Sequence, residues 1–334
     1  MRKTVATVSI ISVALLVTAC EQASVLSNQS TDEDTYLIRL GENQPEDYPT
    51  MAGNLAFAEI VEERTNGRIT IDIYSGGQIG DERSSLEHVQ IGSIGMARSN
   101  ASTLSEFATT IGVLSMPYLF ESEEAMWNVL KSDIGDDLLD SLHEAGYQGL
   151  TFYDSGSRHI YNTKKPIESP EDLQGLQIRV QESQVMISMV EALGATASTM
   201  SFSEVYSALQ TGVVDGAENN FPSFYTTNHF EVANHLSLNA HGLTPEVLLI
   251  SKELFDGMSE EDQNILVEAA EEASDVQREA WDELEQEALE HIEDRVNIVE
   301  IDDFSEWRET VQPVYDQYGG QFQEWIDRIE AAQS

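Results

Sequence analysis

The side chains best suited to chemistry in this sequence are a few arginines set in a strongly acidic chain. The 334 residues include 60 aspartates and glutamates against 17 lysines and arginines, a formal net charge of −43. That charge repels nucleic acid and anionic membrane surfaces, so neither is expected as a partner. To bind an anion, such a chain needs locally placed arginines, whose planar guanidinium can donate two parallel N–H groups to one carboxylate.

The sequence lacks the motifs of the common catalytic classes. It has no Gly-x-Ser-x-Gly turn, no phosphate-binding loop and no dinucleotide-binding glycine motif, and its only cysteine is Cys20. His229, His235 and His241 recur every six residues, a spacing that does not bring them to one helix face as a metal site would require. Paired carboxylates identify nothing in so acidic a chain. We therefore expect a protein that is not an enzyme and that uses no cofactor and no metal.

The N-terminal residues have the pattern of an export signal. Residues 1–19 combine a basic start with an apolar core that is too short to span a membrane comfortably. They end in Val-Thr-Ala followed by Cys20, which resembles the bacterial lipobox, where the cysteine receives a lipid. Residues 20–34 are polar and without apolar periodicity, which favours a flexible tether. We expect a lipid-anchored protein outside the cytoplasmic membrane, in the periplasm if the source is Gram-negative.

The acidic residues are spread along the whole chain instead of forming one tail. Clusters such as Glu260-Glu261-Asp262 and Glu271-Glu272 recur within segments of helical pattern. This distribution predicts a solvated acidic surface of the kind that keeps proteins soluble in concentrated salt. It suggests a salt-loving or salt-tolerant source.

Alternating strand and helix patterns after residue 34 predict an α/β fold. Apolar alternation and helical periodicity predict strands at 36–40, 68–74, 94–97, 150–153, 176–180 and 247–251, and helices at 50–66, 84–90, 184–193, 203–210 and 259–292. The opening order of strand, helix, strand, helix, strand implies parallel pairing. We expect two α/β lobes joined by more than one crossing: lobe I from residues 35–155 plus 245–284, and lobe II from residues 156–244 plus 285–334.

Several segments carry a specific pattern. They are Gly76-Gly-Gln-Ile-Gly-Asp-Glu82, Ser155-Gly-Ser-Arg158-His-Ile-Tyr-Asn162, Gln177-Ile-Arg179-Val-Gln-Glu-Ser183 and the stretch from Met200 to Asn219 with Asp215-Gly-Ala-Glu-Asn219 at its end. Together they resemble the solute-binding proteins of tripartite ATP-independent periplasmic (TRAP) transporters, the DctP family. The similarity runs from about residue 36 to the end of the chain.

The resemblance implies a periplasmic-binding-protein-like fold, in which two hinged lobes with long helices crossing between them close on a ligand, and a membrane permease as partner. It also implies that Arg179 forms a two-pronged pair with the ligand carboxylate, that Asn219 approaches the same carboxylate, and that Arg158 faces the ligand. Glu218 is expected to face away from the anion, and Phe202 is assigned to the core. The further candidate contacts are Asn43, Glu82, Ser99, Asn100, Gln181, Glu182, Phe221 and His241.

The finer resemblance concerns the ligand. Residues 179–186, 215–223 and 244–249 look like the subgroup that binds hexuronates such as D-glucuronate and D-galacturonate. Two alternatives stay open. A C4-dicarboxylate would need a second buried cation, for which Arg158 is the candidate. The same fold could also serve as the ligand-binding receptor module of a sensor kinase.

Overall fold

The computed structural model describes residues 35–333, so the predicted signal peptide, Cys20 and tether lie outside the described residues. Two β-sheets, each covered by helices, make up this part of the chain. The strands are β1 (Tyr36–Gly41), β2 (Ile69–Tyr74), β3 (Met96–Asn100), β4 (Tyr147–Tyr153), β5 (Ser157–Asn162), β6 (Gln177–Val180), β7 (Thr196–Thr199), β8 (Gly216–Asn219), β9 (His235–Leu243), β10 (Glu246–Ser251) and β11 (Asn297–Glu300).

The helices follow the strands in the order typical of α/β proteins. They are α1 (Pro49–Arg64), α2 (Glu82–Gln90), α3 (Ala101–Leu104), α4 (Glu123–Leu130), α5 (Asp133–Asp140), α6 (Gln184–Ala192), α7 (Val205–Thr211), α8 (Phe221–Thr226), α9 (Lys252–Asp256), α10 (Glu260–Ile292), α11 (Ser305–Thr310) and α12 (Gln312–Gln333). Among residues 35–333, no helix is both long enough and apolar enough to cross a membrane.

The first sheet, called sheet A here, has the strand order β2-β1-β3-β10-β4. The three opening strands pair in parallel, as the strand-helix alternation predicts, and β10 returns antiparallel to both β3 and β4. Ile38 and Leu40 of β1 pack with Phe57 of α1 and Leu266 of α10 in one buried cluster. The apolar alternation of β1 thus buries one face of the sheet beneath two helices.

The second sheet, sheet B, has the order β11-β9-β5-β8-β6-β7. Strand β6 is parallel to β7 and β8, whereas β5 is antiparallel to β8 and β9. The antiparallel pairing of β5 with β8 places Ile160 opposite Glu218 and His159 opposite Asn219. This register places residues some 60 positions apart in sequence side by side.

Three segments connect the sheets. Residues 154–156 lead from β4 to β5, residues 244–245 lead from β9 to β10, and α10 lies between β10 of sheet A and β11 of sheet B. Helix α10 is one continuous helix of 33 residues whose N-cap, Ser259, accepts a hydrogen bond from the backbone of Asp262. It packs on α1 and also on α8. The lobe boundary at 284 falls inside this helix and stays a prediction.

The first connection is held tightly in place. The carboxylate of Asp154 accepts hydrogen bonds from Trp127 Nε1 at 2.7 Å and from the backbone of Gly156 at 2.9 Å. Gln277 of α10 binds both the backbone nitrogen and the backbone oxygen of Asp154. Gly156 has a φ of +55°, and a Cβ there would lie 2.9 Å from both Trp281 Cζ2 and Glu285 Oε1. Only glycine therefore fits this position without displacing α10 side chains.

We expect Gly156→Ala to destabilise the protein by about 2–4 kcal/mol, because left-handed backbone strain adds to a clash with α10. Gly175→Ala is the matched control, since Gly175 has a φ of +81° and nothing within 4 Å of its would-be Cβ. That variant should lose only the strain, about 1 kcal/mol. Urea unfolding curves measure the free energy of unfolding of both variants. Equal losses would mean that the α10 side chains move aside for the new Cβ without loss of stability.

Candidate functional site

Two adjoining cavities lie between segments that extend from the two sheets. They have volumes of about 140 Å³ and about 20 Å³, and both are lined by Asn43, Glu82, Arg179 and Phe202. The larger is also lined by Gly76, Gly77, Asp81, Arg83, Thr103, Glu182, Met200, Ser201 and Ser203. The smaller is also lined by Gln44, Arg98, Arg158, Gln181, Asn219, Asn220, Ser223 and Glu246.

Arg179 lies on β6 and is only 4% exposed. Its Nε and Nη2 donate to the backbone oxygen of Met200 at 3.1 and 2.8 Å, and its Nη1 donates to no acceptor within residues 35–333. Three arginines are buried in the described part of the chain, and Arg179 alone among them has no carboxylate within ion-pair distance. Burial lowers the pKa of Arg179 from its ordinary value. The site thus holds a desolvated cation without a counter-ion.

Arg158, on β5, has a counter-ion of its own. Its Nε and Nη2 donate to the two carboxylate oxygens of Glu218 at 2.6 and 3.0 Å, and His241 Nε2 lies 3.2 Å from the same carboxylate. Burial by itself would raise the pKa of Glu218, but the Arg158 charge and the hydrogen bonds outweigh burial and lower it to about 2. Glu218 is therefore an anion that neutralises Arg158.

Arg98, at the centre of β3, faces three glutamates across the cleft from Arg179. Its Nε and Nη2 bind the two oxygens of Glu42, and Nη2 also binds the Asn43 side chain. Its Nη1 binds Glu246 at 2.6 Å and Glu82 at 3.4 Å. These contacts use all five N–H donors of the guanidinium. We call Arg98, Glu42, Glu82 and Glu246 the glutamate wall.

Glu82 is the member of this wall that lines both cavities. It stands at the first position of α2, where one carboxylate oxygen accepts from the backbone of Asn100 and the other from Thr103 Oγ1. Burial raises the pKa of Glu82 to about 7, with Glu246 and Glu42 raising it further and Arg98 opposing them. A glutamate in this position can exchange a proton near neutral pH.

The structure brings most of the predicted site residues together. Arg179, Arg158, Asn219, Asn43, Glu82, Gln181 and Glu182 all line the two cavities. Asn219 is 6% exposed, and its side-chain oxygen accepts from the backbone of Asn220. Its amide nitrogen donates to no acceptor within residues 35–333 and is free to bind an anion.

The four other predicted contacts lie behind the cavity lining. Asn100 donates to Glu246 and to the backbone of Thr244 at the second connection between the sheets. Ser99 is fully buried in β3. His241 binds Glu218, and Phe221 stacks on His159 with ring centroids 4.8 Å apart. Of these four side chains, that of Asn100 contacts a lining residue directly, Glu246.

The sequence interpretation left out several lining residues, above all Arg98, Glu246 and Phe202. Arg98 follows a short apolar run that is typical of a buried strand. A charged arginine directly after such a run was the signal that could have marked it as a candidate site residue. Phe202 was assigned to the core, and it does pack at the edge of a core cluster, but it also lines both cavities. Its helical spacing carries no information on this second role.

Direct contacts link the two sides of the cleft. Arg83 of α2 lies 3.4 Å from Glu182, and the backbone of Gln184 donates to Glu106 at 3.1 Å. Tyr48 forms a 2.9 Å hydrogen bond with Ser223. The cleft is therefore narrow. Within residues 35–333, no group of three or more His, Cys, Asp or Glu side chains is arranged to hold a metal ion.

Comparison with known proteins gives consistent matches along the chain. A solute-binding protein of Chromohalobacter salexigens is 37% identical over 275 residues, which cover 82% of each chain. The crystal structure of a TRAP periplasmic solute-binding protein from Xanthobacter autotrophicus, with bound β-D-galacturonate, is 38% identical with a TM-score of 0.85 and covers 88% of this chain and 99% of its own. A Chromohalobacter salexigens counterpart with bound D-glucuronate is 35% identical with a TM-score of 0.85, covering 89% and 99%.

These matches confirm the predicted two-lobe α/β fold and the predicted resemblance. The family model of bacterial extracellular solute-binding protein family 7 matches residues 40–321, most of the chain. The protein therefore belongs to this family, the DctP family, and is a solute-binding protein of the TRAP type.

Proposed function

We propose that this protein binds a hexuronate, D-galacturonate or D-glucuronate, and delivers it to a TRAP membrane permease. The observation that carries the proposal is the buried Arg179 guanidinium without a carboxylate partner. A carboxylate placed there would supply the missing counter-charge and accept from Nη1, while the amide of Asn219 donates to the same group. The structural relatives that hold galacturonate and glucuronate support this ligand class.

The affinity must come from more than one ion pair. A micromolar complex corresponds to about −8 kcal/mol, and a buried guanidinium–carboxylate pair cannot supply that alone because both partners lose water. A hexuronate also carries several hydroxyls, for which the lining offers side-chain oxygens on Glu82, Asn43 and Glu182. Contacts from both sides of the cleft would make closure and binding one coupled event.

The same charges argue against a C4-dicarboxylate. Arg158 is neutralised by Glu218, and every N–H group of Arg98 already donates to a protein acceptor. A second ligand carboxylate would therefore meet no free cation, and at the glutamate wall it would meet an excess of negative charge. A ligand with one carboxylate and a hydroxylated remainder suits this cleft better.

Further parts of the proposal rest on the sequence. The lipobox-like segment ending in Cys20 supports a lipid anchor outside the cytoplasmic membrane. The dispersed acidic residues support a salt-adapted surface. The lobe boundaries given by residues 35–155 plus 245–284 and by 156–244 plus 285–334 are retained. We propose that the site binds its ligand without chemical change, since the matched family is one of solute-binding proteins.

A thermal-shift screen tests the ligand. Binding to the folded state adds RT ln(1 + [L]/Kd), about 2.7 kcal/mol at 100 times Kd, which corresponds to a shift of several degrees for a chain of this length. We expect large shifts with galacturonate or glucuronate and none with succinate, malate or fumarate. Shifts confined to the dicarboxylates would discard the hexuronate and make Arg158 the second cation.

Arg179→Ala should weaken hexuronate binding by about 100-fold or more, on the order of 3–5 kcal/mol, because the ligand carboxylate loses its counter-ion in a buried site. Arg179→Lys should fall between, since lysine keeps the charge but not the two parallel donors. Titration calorimetry measures both. Arg328→Ala, which removes an arginine paired with Asp137 away from the cleft, is the control and should bind normally. Near-normal affinity in Arg179→Ala would place the carboxylate elsewhere.

Glu218→Gln should destabilise the protein by about 3–5 kcal/mol, because it leaves the buried Arg158 charge without its partner. The control is Asp137→Asn, which removes the carboxylate of a partly exposed ion pair and should cost less than about 1 kcal/mol. Urea unfolding at neutral pH compares the two. Similar small losses in both would show that Arg158 does not depend on Glu218, and the argument against dicarboxylates would fail with it.

A further inference from the structure

The glutamate wall has more negative charge than its arginine can neutralise. Glu42, Glu82 and Glu246 all lie within ion-pair distance of the one Arg98 guanidinium, and their side chains are at most 12% exposed. With all three ionised, the wall has a net charge of −2. Burying two uncompensated charges is costly, and the usual remedy is for one group to take a proton.

The hydrogen bonds indicate which glutamate takes it. Glu42 receives both Nε and Nη2 of Arg98, and also the backbone nitrogen of Gln44 and the side chain of Asn54. Glu246 receives Arg98 Nη1 at 2.6 Å. Glu42 and Glu246 therefore have the closest contacts to the Arg98 guanidinium.

Further hydrogen bonds distinguish Glu246 from Glu82. Asn100 donates to its other oxygen at 3.1 Å, and Ser155 also hydrogen-bonds that oxygen. Glu82 has only the long 3.4 Å contact to Arg98, and its second oxygen meets a hydroxyl, Thr103 Oγ1, at 3.3 Å. A hydroxyl can accept as well as donate. Ser155 Oγ beside Glu246 already accepts from the side chain of Asn220, whereas Thr103 Oγ1 has no hydrogen-bond partner other than Glu82 within residues 35–333. A proton on this second oxygen of Glu82 therefore has an acceptor that is not otherwise engaged.

The charges that surround Glu82 come from several elements. Arg98 of β3, Glu246 of β10 and Glu42 after β1 are in direct or near contact, and Arg179 of β6 lines the same two cavities. Asp81 lines the larger cavity, where the Arg83–Glu182 pair is neutral as a unit. Arg158 lines the smaller cavity and is neutralised by Glu218. Among the cations that line the cavities with Glu82, Arg179 is thus the one without a carboxylate partner. A ligand carboxylate would neutralise its charge.

We propose that hexuronate binding draws one proton from solvent onto Glu82, with Arg98, Glu42 and Glu246 as the positioning residues that make Glu82 the acceptor. The inference rests on the proposed function, since the ligand carboxylate at Arg179 provides the added negative charge. The proton goes to the oxygen that faces Thr103 and is released again with the ligand. The cleft then holds the ligand carboxylate as its one added charge and excludes a second.

The sign of the pH dependence follows from this linkage. Burial has already raised the pKa of Glu82 to about 7 in the free protein, and a bound anion raises it further. The contribution to binding is complete below the free-state value and is lost as pH rises through the bound-state value. Affinity should therefore be level below about pH 7 and weaken by up to about tenfold per pH unit above it.

Titration calorimetry of the purified chain with galacturonate and glucuronate tests the inference. Runs at pH 7.5 in buffers of small and large ionisation enthalpy yield the number of protons exchanged. We expect uptake of about 0.5–0.75 proton in the wild type, because a pKa of about 7 leaves about a quarter of the free protein already protonated at this pH. Glu82→Gln, which keeps the shape and places an amide nitrogen opposite Thr103, should exchange close to none and lose the pH dependence between pH 7 and 9.

The matched control is Glu123→Gln. Burial and the adjacent Asp154 raise the pKa of Glu123 to about 8, so it also titrates in this range, but it lies beside the first connection between the sheets and away from the cavities. Proton uptake on binding should persist in this variant. Loss of the uptake would mean that Glu123, beside the connection between the sheets, takes the proton instead of Glu82. Tight hexuronate binding in the wild type without proton exchange, or with release, would overturn the inference alone. Absence of any hexuronate binding would instead overturn the proposed function.

Discussion

The cost of burying charge governs the arrangement of the cleft. Each of the three buried arginines would be strongly destabilising without a partner, and the protein meets that cost differently in each case. Arg98 is surrounded by glutamates and Arg158 has its own Glu218. Arg179 has only a backbone carbonyl, which offers a partial charge. An anionic ligand can supply the carboxylate partner that Arg179 lacks and so offset the cost of burying its charge. The ligand site is thus the one buried arginine of residues 35–333 that the protein leaves without a counter-ion.

The same residues connect the ligand site to the connections between the sheets. Glu246 opens β10 directly after the second connection, and it contacts both Arg98 in sheet A and Ser155 in the first connection. Asn220, next to Asn219 of the lining, donates to the backbone of Ser155. A chain of buried hydrogen bonds therefore runs from the glutamate wall through both connections to the opposite side of the cleft. Closure cannot change the position of one side without affecting these shared contacts.

Local sequence patterns predict the elements well and their pairing poorly. The strands at 36–40 and 68–74, the helix at 184–193 and the long helix capped by Ser259 agree with β1, β2, α6 and α10 to within a few residues. Strands β5 and β9 were not predicted, because they carry many polar residues and their alternation is set by neighbours far away in sequence. The antiparallel β10 likewise follows from a long-range return that apolar runs do not encode.

In the candidate site, too, the residues within contiguous motifs are predictable from the sequence, and those brought together by long-range pairing are not. Arg179 and Asn219 follow from a motif that is contiguous in sequence, and both line the cavities. The partner of Arg158 depends on the β5–β8 register, and the cluster around Arg98 joins residues from positions 42, 82 and 246. Local sequence cannot predict such groupings, because in a chain with 60 acidic residues many glutamates could equally well pair with a given arginine. Only the fold selects the three that meet.

The acidity of the whole chain and the capture of an anion are compatible because they act over different distances. The field of a chain with a net charge of −43 repels a hexuronate at long range, but salt screens exposed charges beyond about 10 Å at 0.1 M and about 3 Å at 1 M. The pair between Arg179 and a ligand would form in a buried cleft, where ions penetrate little and screening is weak. Rising salt therefore removes the repulsion that slows encounter while leaving the attraction that holds the ligand. A chain with a large net negative charge can therefore still hold an anion at a buried, uncompensated arginine.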